Sequence, residues 1–310
     1  MHRRKFIKQA SGLFAGSFAV PYINTNRYKI FDGIDTKYSV RTIRLIRESV
    51  VVDMLNQFRY GESLEKWLKD PTLFKNEAEA YQASGIDVFA LGHGQPDKKS
   101  ALDYFANWDK LISANAEHLH KIAGTEDLKL VNQNGKTGVL MSFQRSDHFE
   151  SVDDVALFYE QGQRISQLTY NYDNKIGSGA FSDIDKGLSD FGREIIVKMN
   201  EAGMAIDLSH CSDKTTIEGI ELSEKPALIT HANCRALNPG YVRAKTDDMI
   251  KKLAEKEGLF GVSAIRFMIR DREPVTINHW LEHIDHVINL VGPEFVGIGS
   301  DMDMPGDENP

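Results

Sequence analysis

Positive charge is in short supply in this 310-residue chain: 37 Lys and Arg stand against 45 Asp and Glu, a formal net charge of −8. A basic stripe for gripping nucleic acid is therefore excluded, and no local run of cations restores one. Cysteine is scarcer still, with only Cys211 and Cys234. Two cysteines make no disulfide scaffold, so the fold must stand on its core. The small, apolar segment Ala10–Val20 is too short to span a bilayer, which takes about 20 apolar residues. No glycine-rich phosphate fingerprint follows the first apolar strand, which argues against a nucleotide-binding open sheet. No internal repeat and no interdomain linker interrupts the chain. Its 41% hydrophobic and 26% charged residues are ordinary for a soluble globular domain.

What is present starts with the N-terminus, Met1-His2-Arg3-Arg4-Lys5-Phe6-Ile7-Lys8, followed by the apolar segment and Pro21. Basic residues before a short apolar stretch are signal-peptide grammar. The paired arginines, with Phe6 and Lys8 behind them, match the twin-arginine export pattern. The expected organisation is a signal segment over residues 1–23, a leader over 24–46, and one folded domain over 47–310. Cleavage is expected near residues 21–30, the product periplasmic, and no membrane span is expected to survive processing. No cysteine follows that would take a lipid.

Eight apolar runs read as buried strands: 49–55, 86–91, 137–143, 165–169, 204–208, 226–230, 258–265 and 295–299. Helical patterns separate most of them. The clearest covers 190–202, with Phe191, Ile195, Ile196 and Met199 on one face. Another covers 277–290, and a long one covers 100–123. Continuous apolar strands between helices mean a sheet buried on both faces. Eight of them point to an α/β fold of the (β/α)₈ TIM-barrel type, in a single domain. The chain stops at Pro310, soon after the eighth strand, so the helix expected to close the barrel is missing and the sequence reads as truncated.

Barrel enzymes gather their chemistry at the C-terminal ends of strands. Those ends carry Phe143-Gln144-Arg145, Tyr170-Asn171, Asp207-Leu208-Ser209-His210, His231 and Gly299-Ser300-Asp301. Two histidines on neighbouring strand tips can converge on one zinc ion, with Zn–N near 2.1 Å. An aspartate across the mouth can hold and deprotonate water. Each histidine taken alone also reads as a polar strand cap. Cys211 and Cys234 read as buried small residues beside adjacent tips, with a disulfide or thiolate ligation as alternatives. His283 and His286 have metal-ligand spacing, but barrel helices face outward and both are expected to be solvated.

Several motifs then occur in order: Leu168-Thr169-Tyr170-Asn171, Gly187-Leu188-Ser189-Asp190-Phe191-Gly192-Arg193, Asp207-Leu208-Ser209-His210, Thr230-His231-Ala232-Asn233, Arg243 and Gly297-Ile298-Gly299-Ser300-Asp301-Met302-Asp303. In this order and spacing the chain resembles the renal (membrane) dipeptidase family of zinc peptidases over about residues 45–305. The resemblance implies a (β/α)₈ barrel, two zinc ions, and hydrolysis of dipeptides or related amides. It assigns His210 and His231 to one zinc, Asp301 to the water, and Arg243 to the substrate carboxylate. A guanidinium fork suits that last task. Tyr170 stands where the family has a substrate-binding histidine and can donate a hydrogen bond to a developing oxyanion.

The other half of the site departs. Where the family has Asp-Gly-His-Asn-Asp, this chain has Asp53-Met54-Leu55-Asn56-Gln57. Leu55 cannot ligate, and Gln57 is a weak neutral ligand. The family's bridging glutamate falls at or next to Gln144, an amide that cannot offset two cations. Two dications about 3.5 Å apart would repel unscreened. At most one zinc is therefore expected, on His210 and His231, with Gln144 or Asp301 completing it. The sequence leaves three functions open: a metallohydrolase for a dipeptide or small carboxylate-bearing amide, an inactive periplasmic binding or partner protein, and a mononuclear lactonase or amidase. A small-molecule or dipeptide ligand is common to the enzymatic readings. A homodimer is left open.

Overall fold

The computed structural model describes residues 22–23, 38–59 and 63–304. Most of the expected signal and leader, residues 1–21 and 24–37, lies outside the described residues, as do residues 60–62 and 305–310. β1 (Tyr22–Ile23), at the end of the expected signal segment, pairs antiparallel with β2 (Tyr38–Ser39) in the leader, and helix α1 (Val40–Glu48) follows. Ser39 caps that helix by accepting from Thr42 N at 3.1 Å, as N-cap serines do. No helix among the described residues is long and apolar enough to cross a membrane.

The domain itself alternates parallel strands and helices. Its strands are β3 (Val52–Asn56), β4 (Val88–Leu91), β5 (Leu119–Ile122), β6 (Thr137–Leu140), β7 (Ser142–Phe143), β8 (Ile165–Gln167), β9 (Ala205–Asp207), β10 (Leu228–Ala232), β11 (Leu259–Val262) and β12 (Val296–Ile298). Seven of the eight expected strands appear as single elements. The eighth, 137–143, breaks at Met141 into β6 and β7. The four-stranded sheet runs β3-β4-β6-β5 and the six-stranded one β12-β11-β10-β9-β8-β7. Because β6 and β7 are two halves of one bent strand, the sheets join there.

The ring closes at the other side between β12 and β3, with no regular ladder. Instead Asp301 N donates to Leu55 O at 2.9 Å and Gln57 N donates to Met302 O at 3.1 Å. Asp53, buried on β3, clamps the same seam: it accepts from Ser300 N at 2.8 Å and from Ser300 Oγ at 2.5 Å. The first strand thus meets the last, as the barrel reading requires.

One expectation fails. Residues 100–123 read as one helix, but the helix is α4, Lys98–Ala114, and its tail is strand β5. β5 lies beside β6, with Leu119 opposite Thr137 and Ile122 opposite Leu140. Only Leu119 and Ile122 of its four residues are buried, so its short run of His120 and Lys121 hides the alternation that marks a strand.

Elsewhere local chemistry sets the elements. The helix expected over 190–202 spans Asp190–Ala202; Ser189 caps it by accepting from Gly192 N, and Gly203 ends it at φ +81°. A left-handed residue there favours glycine. Under β3 and β4, rings lock the sheet to its helices: Phe58 stacks on Tyr81 at 4.4 Å and meets Trp108 edge-on at 5.2 Å. Such offset and edge-on pairs are the favoured arrangements.

A second ring cluster surrounds His148, which is fully buried against Phe143, Phe149 and Phe158. Burial pushes its imidazole down to about 4, opposed by the hydrogen bond to Gln163. The unfolded chain then binds the proton that the folded chain refuses, between the ordinary value near 6.5 and about 4. Stability rises with pH across that window and is lost as pH falls through it. At pH 4 the loss is expected to be about 3 kcal/mol. Urea titrations at pH 7 and pH 4 on wild type and His148→Gln check this: the variant should lose less on acidification, and equal losses would assign the acid sensitivity to other groups.

Candidate functional site

β9 and β10 bring His210 and His231 together at the barrel mouth. Their Nε2 atoms lie 2.9 Å apart, with both rings buried. The groups behind them decide which nitrogen carries the proton. His210 Nδ1 faces the Asn171 Oδ1 acceptor at 2.7 Å, so Nδ1 donates and Nε2 keeps its lone pair. Behind His231, Thr230 Oγ1 donates to Asp207 Oδ2 at 2.7 Å and lies 2.8 Å from His231 Nδ1. With its proton spent on the carboxylate, the hydroxyl accepts from Nδ1, and again Nε2 is left bare. Second-layer partners commonly fix metal-binding imidazoles in this way. Two tetrahedral zinc ligands at about 2.1 Å would sit about 3.4 Å apart, so an opening of about half an ångström would suit this pair to one ion.

Asp207 holds the arrangement together. It is buried at the end of β9 and accepts from Ser209 N (3.0 Å), Ser209 Oγ (2.5 Å), Thr230 N (3.0 Å) and Thr230 Oγ1 (2.7 Å). Burial raises its carboxyl above the ordinary range, and the serine and threonine bonds oppose this. Both histidines are held well below their usual range, first by burial and then by the Arg243 charge. Neutral imidazoles are what a metal needs.

Arg243 is 1% exposed, and its Nη2 donates to His210 Nε2 at 2.7 Å. Its Nη1 reaches only Met268 Sδ, at 3.7 Å, and its Nε has no partner. No carboxylate pairs with it among the described residues. A buried guanidinium without an anion is costly, and an anion beside it would offset that cost. Tyr170 stacks on His210 at 4.3 Å between centroids and is 44% exposed. Four of the sequence-named residues, His210, His231, Arg243 and Tyr170, therefore form one group.

The remaining named residues gather on β3 and its neighbours. Gln57 Nε2 donates to Asp301 Oδ1 at 2.8 Å. Gln144 donates its side-chain amide to Gly92 O, leaving Oε1 as the atom available to a ligand. A Cβ on Gly92 would lie 3.0 Å from Gln57 Nε2 and 3.1 Å from Gln144 Nε2, so both amides converge there. Leu55 is buried and its side chain has no donor atom for a metal; its carbonyl accepts from Asp301 N. Asp301 itself sits at φ +60°, a conformation Asp tolerates better than most residues. A cleft of about 190 Å³ opens beside it, lined by Gln57, Arg59, Ile265, Phe267, Asp301 and Met302. Among the described residues no group of three or more His, Cys, Asp or Glu is placed to hold a metal ion. His210 and His231 fit one ion as a pair; Leu55 and Gln57 do not fit a second.

Outside this centre one expectation is corrected. His283 is not solvated but buried, accepting from Cys234 N at 3.0 Å and facing Ile269 O at 2.9 Å. It turns inward because the loop carrying Cys234 needs its backbone satisfied. His286 is half-exposed and pairs with Asp247 at 2.8 Å. Cys211 and Cys234 are free and buried, as small residues; burial pushes the Cys234 thiol up to about 12, a range in which thiolate chemistry is suppressed. Sequence reading missed Asn171, Asp207 and Thr230 as the groups that orient the histidines, although all three stood in the quoted motifs. It also missed Tyr241 and Phe267, which carry no local signal.

Comparisons with known proteins place the chain by its sequence and its fold. The chain is similar to dipeptidase tcpJ of Claviceps purpurea, 29% identical over 211 residues, or 67% of this chain and 49% of that protein. An uncharacterized dipeptidase of Schizosaccharomyces pombe is 32% identical over 177 residues, or 55% of this chain and 42% of that one. The chain thus spans about half the length of the curated relatives it matches. An amidohydrolase from Pseudomonas aeruginosa superposes with a TM-score of 0.75 at 29% identity, over 86% of this chain and 78% of that one. A metallo peptidase from Rhodobacter sphaeroides, liganded with a phosphinate mimic of the dipeptide L-Ala-D-Ala, shares the fold at a TM-score of 0.70 and 20% identity, over 81% and 85% of the two chains. With the family profile matching residues 9–308 as well, this barrel with its paired imidazoles belongs to the membrane dipeptidase family, peptidase family M19.

Proposed function

We propose that this chain is a zinc-dependent hydrolase with one ion, cleaving a dipeptide or small amide that bears a free carboxylate. The observation that carries the reading is the His210–His231 pair, whose Nε2 atoms lie 2.9 Å apart while each Nδ1 is held from behind, by Asn171 and by the Thr230–Asp207 relay. When bound there, zinc supplies Lewis-acid polarisation and acidifies water. Gln144, at the tip of β7, donates its amide to Gly92 O and offers its Oε1 as a further ligand. Arg243 takes the substrate carboxylate, turning its unpartnered Nε and its Nη2 toward it. Asp301, oriented by Gln57, accepts the proton from water and returns it to the leaving amine. Tyr170 supplies a hydrogen bond to the developing oxyanion from its exposed edge. The dipeptidases among the relatives support the reaction class. The twin-arginine pattern at Arg3 and Arg4 supports action outside the cytoplasm.

One observation favours a second reading. Arg243 already donates into the His210 lone pair, so a metal-free protein that binds a carboxylate in the same pocket is also self-consistent. Elemental analysis of protein prepared without chelator separates the two. Near one zinc per chain, lost in His210→Ala, supports the hydrolase; loss of the ion should also lower kcat/KM by about a thousandfold, since such an ion stabilises the transition state by several kcal/mol. No bound zinc after zinc loading, with the fold intact, would move the function to carboxylate binding.

A further inference from the structure

Three loops that are distant in sequence place aromatic rings in an arc around the mouth of this site. Tyr172, after β8, meets Phe181 at 6.4 Å between centroids, Phe181 meets Tyr241 at 6.1 Å, and Tyr241 meets Phe267 at 5.8 Å. Tyr170 adds a fifth ring on His210. Tyr241 lies in the loop after β10, and Phe267 is the second residue of the helical turn Arg266–Ile269 that follows β11. In a barrel these loops share one face. Tyr172 is 66% exposed, Phe267 60% and Tyr170 44%. Single exposed apolar residues need no explanation, but a contiguous set at the rim of a cleft does.

The arc is tied to one end of the site. Phe267 lines the cleft beside Asp301 and Gln57, and its neighbour Met268 touches Arg243 Nη1. Tyr241 stands two residues before Arg243, and its hydroxyl, raised mainly by burial, feels the charges of Arg243 and Asp301. The rings therefore border the guanidinium. A residue anchored by its carboxylate on Arg243 would hold its side chain against Tyr241 and Phe267.

Resting on the dipeptidase reading above, we propose that the arc is a side-chain subsite: the chain selects substrates whose carboxylate-bearing residue is aromatic, and Tyr241 and Phe267 set that selectivity. Stacked and edge-on rings gain attraction beyond area burial, and a filled pocket discriminates by about ten- to a hundredfold.

The test uses the zinc-loaded full chain with Gly-Phe and Gly-Gly. Wild type is expected to favour Gly-Phe in kcat/KM by at least about tenfold, and Phe267→Ala and Tyr241→Ala are each expected to lower that ratio about tenfold. Phe267 is largely exposed, so its removal leaves the core intact, and thermal melts verify both variants. A second measurement needs no turnover: calorimetric titration with 3-phenylpropionate and with propionate. The aromatic acid should bind at least about tenfold more tightly, and the variants should reduce the difference. If neither peptide is cleaved yet phenylpropionate is preferred through these rings, the subsite stands and the hydrolase reading fails. If both peptides are cleaved with a ratio near one, unchanged in the variants, the subsite is overturned. It is equally overturned if sedimentation shows a dimer that Phe267→Ala dissociates while the ratio stays fixed, since the rings would then belong to a contact between two copies.

Discussion

Asp207→Asn is expected to leave the barrel folded and to weaken zinc binding about ten- to a hundredfold. The amide keeps the size of the carboxylate and one of its acceptor atoms, so Ser209 N and Thr230 N can still be satisfied at 3.0 Å each. The other atom turns from acceptor to donor. It then gives its proton to Thr230 Oγ1, which must send its own proton elsewhere. The neighbour at 2.8 Å is His231 Nδ1. His231 is driven to the tautomer with the proton on Nε2, the atom that faces His210 at 2.9 Å, and a protonated nitrogen cannot ligate. Folding stability should fall by only about 1–3 kcal/mol. Competition titration against a chelator reads the zinc affinity, and a thermal melt reads the fold. An unchanged affinity in a folded variant would show that the Thr230 relay does not set the His231 tautomer. Because Asp207 never touches the proposed metal position, this variant separates orientation from ligation in a way His210→Ala does not.

The second large effect is expected at the seam. Asp53→Ala should cost about 4 kcal/mol, because it strands several donors in a buried place. Asp53 accepts from Ser300 N at 2.8 Å, Ser300 Oγ at 2.5 Å and Asn56 Nδ2 at 3.1 Å. Elsewhere around the ring, neighbouring strands are held by parallel ladders; among the described residues the segments at β12 and β3 are joined by three backbone bonds, from Asp301 N to Leu55 O, Gln57 N to Met302 O and Met304 N to Arg59 O. Asp53 is the buried carboxylate that reinforces them. Urea denaturation at pH 7 measures the loss, and amide exchange at Asp301 and Gln57 should quicken selectively. A cost below about 1 kcal/mol would assign seam closure to side-chain packing instead. Asp53 and Asp207 do the same job at two places, each accepting from the amide two residues on and from a hydroxyl on the neighbouring strand. One of these strengthens the weakest join in the ring, and the other sets a histidine.

Gln57 has a defined partner in the folded chain. Its amide donates to Asp301 Oδ1 at 2.8 Å, where a carboxylate at this position would repel Asp301 unless a cation lay between. Read from the sequence, Gln57 was a missing ligand. In the folded chain it is the partner that keeps Asp301 in place, and that role needs the donor that glutamine has and aspartate lacks.

The sequence by itself determined the architecture and the chemistry-bearing tips. Continuous apolar runs flanked by helical periodicity specify strands buried on both faces, and eight of them leave few closed arrangements. The positions of His210, His231 and Asp301 at strand ends follow from that register, because side chains at a strand tip face the mouth whatever the loops do. Tertiary structure alone decided the rest. β5 hides in a helical pattern because its pairing with β6 is a property of two segments, not one. His283 turns inward because the loop at Cys234 leaves an amide that needs an acceptor. Gln57 and Asp301 lie 244 positions apart, and Tyr172, Tyr241 and Phe267 come from three loops. Hydrophobic periodicity records only whether an element is buried; which groups then meet across the mouth is set by the closure of the ring, and closure is a long-range event that no local window contains.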